Sequence, residues 1–200
     1  ERVNAPEVWE MGIDGSGTVV ASIDTGVQWD HPALKEKYRG YNAATGQVSH
    51  DYSWYDSTSA GRAIPYDDQD HGTHVTGTMV GSEPNGSNKI GVAPGAKYIA
   101  VKAFTASGGS DVDLLEAAQW ILAPTDANGN PRVDMAPDVV NNSWGGGPGL
   151  DEWYRDVVIN WRAAEIFPEF SAGNTTFTNP GGAGSVAAPA NYPESFATGA

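Results

Sequence analysis

Three residue types in this chain have the chemistry to move a proton and hold a developing negative charge. Asp24 ends an apolar run over 19–23 and opens Asp24-Thr25-Gly26. His71 lies in Asp70-His71-Gly72-Thr73-His74-Val75-Thr76-Gly77, and Asn174 closes Phe170-Ser171-Ala172-Gly173-Asn174. An acid that orients an imidazole, an imidazole that carries a proton and an amide that donates to an oxyanion together suit acyl transfer by a serine nucleophile. No serine among the 200 residues stands in a nucleophile motif. Asp-Thr-Gly is also a signature of aspartic proteases, whose two carboxylates share a proton. That chemistry needs a second Asp-Thr-Gly or Asp-Ser-Gly, here or in a dimer mate, and the chain has no second copy. Alone, Asp24 reads as a strand-end carboxylate capping a turn; the His71 segment gives it a chemical role. His71 and His74 are three apart with Gly and Thr between, unlike the i, i+4 metal pair of the His-Glu-x-x-His type. His74 is expected to be a packed, satisfied histidine, and His31 and His50 to be loop or surface residues without partners.

The elements that must position these groups follow from periodicity and punctuation. A helix is expected over 4–12, with Asn4 as N-cap and Pro6 in its first turn. Glycines at 12, 15 and 17 break it, and the β-rich run 18–24 reads as a buried strand. Residues 35–70 read as loop with at most a short strand, ending in the acidic cluster Asp67, Asp68 and Asp70. A helix over 71–81, a strand over 98–104 and an amphipathic helix over 111–122 follow, the last with acids in its first turn. After a loop over 124–137 come a strand over 138–144, a helix over 151–164, an unusually polar strand over 165–172 and a strand beginning at 196. Alternation of this kind predicts an α/β fold, a doubly wound parallel sheet with helices on both faces. Such sheets bind ligands at the carboxyl ends of their strands, where Asp24, Ser143 and Asn174 all fall.

Composition narrows the partners. Two hundred residues and 21.0 kDa fit one domain with a sizeable core. Eleven basic against twenty-five acidic residues give a formal charge of −14, which repels a phosphate backbone and excludes nucleic acid as a partner. No cysteine is available for disulfides or thiolate metal sites. No apolar run approaches the length of a membrane span, and a membrane partner is not expected.

The motifs resemble those of the subtilisin-like serine proteases, most of all the bacillopeptidase F type, in order and over essentially the whole chain. SIDTGVQWDHP resembles the family's aspartate motif, DHGTHVTG its histidine motif and GVAPGAKYIAVKAF the strand that follows. NNSWGGG resembles a substrate-binding strand and FSAGN the oxyanion-asparagine motif. The resemblance implies that Asp24 holds one tautomer of His71, that His71 is the general base and acid, and that Asn174 is the oxyanion donor. In subtilisin the loss of that donor costs about 10²–10³ in turnover, a value borrowed from that relative. Gly108, Gly109 and Ser110, with Ser143, Trp144, Gly145 and Gly146, correspond to the two segments that bracket an extended substrate as added strands, where bare backbone suits main-chain pairing. Ser143 to Gly145 and Ala172, Gly173 and Asn174 would wall the primary specificity pocket. Trp144 stands where relatives usually carry a smaller apolar residue.

The family's nucleophile lies in a Gly-Thr-Ser motif some tens of residues beyond Ala200. The expectation is therefore that residues 1–200 are the N-terminal portion of a catalytic domain within a longer protein. Its expected activity is secreted serine endopeptidase on protein or peptide substrates, as a monomer, with Glu1 suiting a mature start after an N-terminal prosegment. An inert fragment that only binds extended peptides is the alternative. No cofactor is expected for catalysis. Structural calcium is implied by the resemblance, but Ala33 replaces a common aspartate ligand and the 83–88 loop matches imperfectly. Asp126, Asn128 and Asn130 alternate like ligands, yet Pro131 makes an ordinary turn the better reading.

Overall fold

The computed structural model describes residues 3–147, 149–177 and 179–199. Six parallel strands form one sheet in the order β2-β3-β1-β4-β5-β6. They are β1 (Val19–Asp24), β2 (Trp54–Asp56), β3 (Lys97–Lys102), β4 (Val139–Asn142), β5 (Phe167–Ser171) and β6 (Phe196–Thr198). The helices are α1 (Ala5–Glu10), α2 (His71–Val80), α3 (Asp111–Leu122) and α4 (Arg155–Ala163). This is the predicted doubly wound α/β arrangement.

Strand pleating divides the core in two. Ala21, Ile23, Ile99, Val101 and Val140 face α3 and α4, where Trp161, Tyr154 and Phe170 form the aromatic centre of one cluster. Indole Nε1 of Trp161 donates to Ala118 O at 3.2 Å and Tyr154 Oη to Leu114 O at 3.2 Å, tying α4 to α3. Val20, Tyr98 and Ala100 face the other way, packing with Val80 of α2, Tyr38 and Trp54. The step from β2 to β3 through α2 and the step from β3 to β4 through α3 move in the same direction across the sheet. Their helices lie on opposite faces, so the two crossovers have opposite hands and one of them departs from the right-handed rule.

Several boundaries differ from expectation for local reasons. Helix α4 starts at Arg155, because Asp151 Oδ1 accepts from Trp153 N at 3.3 Å and holds a non-helical turn there. Asn4 sits at the start of α1 with φ 49° and without a side-chain cap bond, so its backbone carbonyl alone receives Glu7 N. The strand expected to reach Trp144 stops at Asn142. His74 is exposed, since α2 buries Gly72, Thr76 and Val80 instead. His50 does have partners: its Nδ1 lies 3.1 Å from Tyr38 Oη and its ring packs edge-on to Trp29.

Candidate active site

Asp24 is the last residue of β1 and points toward α2, whose first residue is His71. His71 Nδ1 and Asp24 Oδ1 are 2.7 Å apart, with the carboxylate side chain 3% and the imidazole 54% exposed. A buried carboxylate only accepts, so the geometry assigns the proton to Nδ1 and leaves Nε2 as the free lone pair. Asp24 Oδ1 also accepts from Thr25 N at 2.6 Å. Its Oδ2 is buried with no hydrogen-bond partner among the described residues.

The approach of α2 and of the Tyr66 loop to the segment that follows β1 depends on two glycines. A Cβ on Gly72 would lie 2.2 Å from Gly26 O, and one on Gly26, at φ +105°, would lie 2.0 Å from Tyr66 O. Asp70, at φ 64°, makes no side-chain cap bond for α2. Asp67 takes that task. Its Oδ2 accepts from Thr73 N at 2.8 Å and Thr73 Oγ1 at 2.6 Å, and its Oδ1 from Gln69 N, Asp70 N and Thr25 Oγ1. Thr25 Oγ1 accepts in turn from Gly72 N at 2.9 Å, which satisfies another of the open amides at the helix start. Asp68 bonds to Lys102 Nζ at 2.8 Å, and that ammonium holds the carboxyl below the usual carboxylate range. Sequence reading noted the acidic cluster but gave Asp67, Asp68 and Lys102 no role; a lysine inside the apolar run YIAVKAF was the available signal.

The pair opens into a cleft of about 340 Å³, lined also by Thr25, Gln69, Phe104, Thr105, Ala106, Ser143 and Trp144. The predicted binding segments are placed unevenly around it. Gly108, at φ +96°, closes a tight turn with Thr105 through two mutual backbone bonds. Gly109 backs onto the Phe104 ring, where a Cβ would meet Cε1 at 2.8 Å. Ser110 is the N-cap of α3, its Oγ receiving Asp113 N at 3.1 Å and its own amide donating to Asp113 Oδ2 at 3.4 Å. Ser143 Oγ receives Asn141 Nδ2 at 3.0 Å. Gly145 and Gly146 are exposed, and Gly146 N donates to Ala188 O at 2.8 Å. Trp144 turns half inward, its ring centroid 5.9 Å from Phe104, 5.3 Å from Tyr154 and 5.6 Å from Phe170. Beyond β5, Ala172 N pairs with Thr198 O at 2.8 Å and Gly173 takes φ +93°. Asn174 follows, exposed, and among the described residues no hydrogen bond joins it to Asp24 or His71.

The two loops weighed against calcium binding are closed on themselves, and the 126–130 segment is the ordinary turn that Pro131 suggested. Asp126 Oδ1 accepts from Asn128 N and Asn130 N, each at 2.9 Å, and Oδ2 from Asn130 Nδ2 at 2.9 Å, which is an ordinary turn. In the 83–88 loop, Ser87 Oγ bonds to Glu83 Oε2 and Asn85 Oδ1, while Ala33 brings no carboxylate. Among the described residues no three His, Asp or Glu side chains gather into a group that could hold a metal ion.

Several known proteins are similar to this chain in sequence. Bacillopeptidase F of Bacillus subtilis (strain 168) is 70% identical over 201 residues, which is 100% of this chain and 14% of that protein. Minor extracellular protease Vpr of the same organism is 30% identical over 99% of this chain and 22% of its own length. Subtilisin Savinase of Lederbergia lenta is 30% identical over all of this chain and 61% of its own length. The chain thus spans less than two thirds of each of these relatives. The profile of the Subtilase family matches residues 15–200, and this chain belongs to that family.

Proposed function

We propose that this chain carries the acid and the base of a secreted serine endopeptidase. The observation that carries the reading is the 2.7 Å bond between the buried Asp24 carboxylate and the half-exposed His71 imidazole at the edge of a cleft. In this reading His71 Nε2 takes the proton of a serine hydroxyl as it attacks a peptide carbonyl. Asp24 keeps the ring in the Nδ1–H tautomer and stabilises the imidazolium that forms, and the same Nε2 proton then goes to the leaving amine. Asn174 donates its side-chain amide to the tetrahedral oxyanion. The exposed backbone at Gly145 and the Gly108–Gly109 turn suit an extended peptide laid between them as an added strand. Trp144, packed on Phe104, narrows what the cleft accepts. Secretion is supported by the similarity to Minor extracellular protease Vpr, while Major intracellular serine protease of Bacillus subtilis, 33% identical over 79% of this chain, is the counterexample among the relatives.

The test uses the full-length protein, a fluorophosphonate probe and a peptide substrate. One covalent adduct and steady turnover are expected, both abolished by His71→Ala. Failure to take the probe, together with binding of an extended peptide, would replace this reading with that of an inert peptide-binding domain.

A further inference from the structure

Two buried residues of opposite charge stand side by side at the carboxyl ends of β1 and β3. Asp24 and Lys102 are register partners on these adjacent parallel strands, 3% and 0% exposed. Both follow the Val20 and Ala100 alternation and so lie on the face that α2 covers. The three N–H bonds of the ammonium are all used elsewhere: Thr25 O at 2.6 Å, Phe104 O at 2.9 Å and Asp68 Oδ1 at 2.8 Å. Lys102 thus stands between two buried carboxylates, its register partners Asp24 on β1 and Asp56 on β2, and leaves Asp24 Oδ1 to His71 and Thr25 N. A buried carboxylate without compensation is costly, and Asp24 Oδ2 has no donor of its own among the described residues. The same ammonium joins the end of β1, the segment after β3 and the loop that leads into His71.

We propose that Lys102 is a positioning residue of the Asp24–His71 pair, supplying the countercharge for buried Asp24 while tethering the 67–70 loop that delivers His71. The inference rests on the endopeptidase reading of that pair. The charged and titratable groups around it are Asp24 on β1, Asp56 on β2, which is the other register partner of Lys102 and is also buried, Asp67, Asp68 and Asp70 in the loop, His71 and His74 on α2, and the Tyr66 phenol, whose ring lies 4.8 Å from Lys102 Nζ and 4.2 Å from the Arg62 guanidinium.

The experiment measures kcat/KM against pH for the full-length enzyme, Lys102→Met, Asp68→Asn and His71→Ala. The acid limb reports the imidazole of the free enzyme. Removing the ammonium takes away a positive charge beside the pair, so Lys102→Met moves the limb up. It also lowers kcat about tenfold or more as the loop loses its tether. Asp68→Asn leaves the ammonium less compensated and moves the limb down. Opposite shifts support the proposal, since a purely structural defect has no reason to produce them. A limb that coincides with the parent's in Asp68→Asn overturns it, and that half-exposed position decides the matter if Lys102→Met does not fold. Turnover surviving in His71→Ala refutes the endopeptidase reading itself, whereas an inactive His71→Ala with unmoved limbs refutes only the role of Lys102.

Discussion

Gly72→Ala separates what the helix start needs from what the helix needs. The added Cβ would sit 2.2 Å from Gly26 O, 3.0 Å from Asp24 Oδ1 and 3.1 Å from Asp24 Cβ. The contact with the carbonyl is about 1.2 Å short of ordinary van der Waals separation, and both partners are backbone-anchored. Helix α2 and the end of β1 must part by roughly that amount, which stretches the 2.7 Å His71–Asp24 bond to about 3.9 Å and out of hydrogen-bonding range. Overpacking of this kind costs about 1–3 kcal/mol. A misplacement of about 1 Å costs about 10²-fold in rate, and complete loss of the orienting bond about 10⁴-fold. The expected result in the full-length enzyme is a lower melting temperature and a fall in kcat between those limits. Gly77→Ala, five residues on in the same helix, meets nothing within 4 Å and should stabilise the fold by up to about 1 kcal/mol through helix propensity alone. Steady-state kinetics and thermal unfolding of the two variants are the assay. Parental kcat and melting temperature in Gly72→Ala would refute the close-approach argument.

Asp24→Asn keeps the shape but removes the tautomer control, so kcat should drop about 10⁴-fold; a loss under tenfold in steady-state assays would remove Asp24 from the mechanism. Ser110→Ala deletes the N-cap of α3 and should cost about 1 kcal/mol in denaturant unfolding with KM unchanged, whereas a large rise in KM would show that its side chain meets substrate. Burial holds the His50 imidazole below its ordinary value of 6.5, against an opposing pull from Asp51. The unfolded chain then binds the proton more readily, so stability is full above pH 6.5 and declines as pH falls through the lowered value. NMR titration should find His50 below 6.5, and His50→Gln should flatten that slope; an ordinary titration would contradict the packing on Trp29 and Tyr38.

Much of the scaffold was legible because its signals are local. The 111–122 helix carries its own apolar stripe and a serine–aspartate capping box, and its bounds agree residue for residue. Strand ends at Asp24 and near Ser143 were readable from apolar runs closed by polar residues. The supporting shell was not legible in the same way. Asp67 and Asp68 read only as an acidic cluster with no role, because their partners Thr25 and Lys102 lie 42 and 34 residues away in the chain. His50 looked isolated because Trp29 and Tyr38 reach it from another loop. His74 looked like a core residue until the burial of Gly72, Thr76 and Val80 fixed which side of α2 faces the sheet. Spacing identifies groups capable of chemistry, but long-range packing decides which neighbours hold them.

The opposed hands of the two crossovers bear on when the site comes into being during folding. Edge strand β2 pairs with β3, whereas α2 packs on both β1 and β3, so α2 has its full docking surface only once those two central strands have met. The Asp24–His71 bond closes a separation of 47 residues inside that same unit. Its loop-closure entropy is recovered only when the sheet is in register. A partly folded chain therefore holds carboxylate and imidazole apart, and competence for proton transfer arrives with completion of the central sheet.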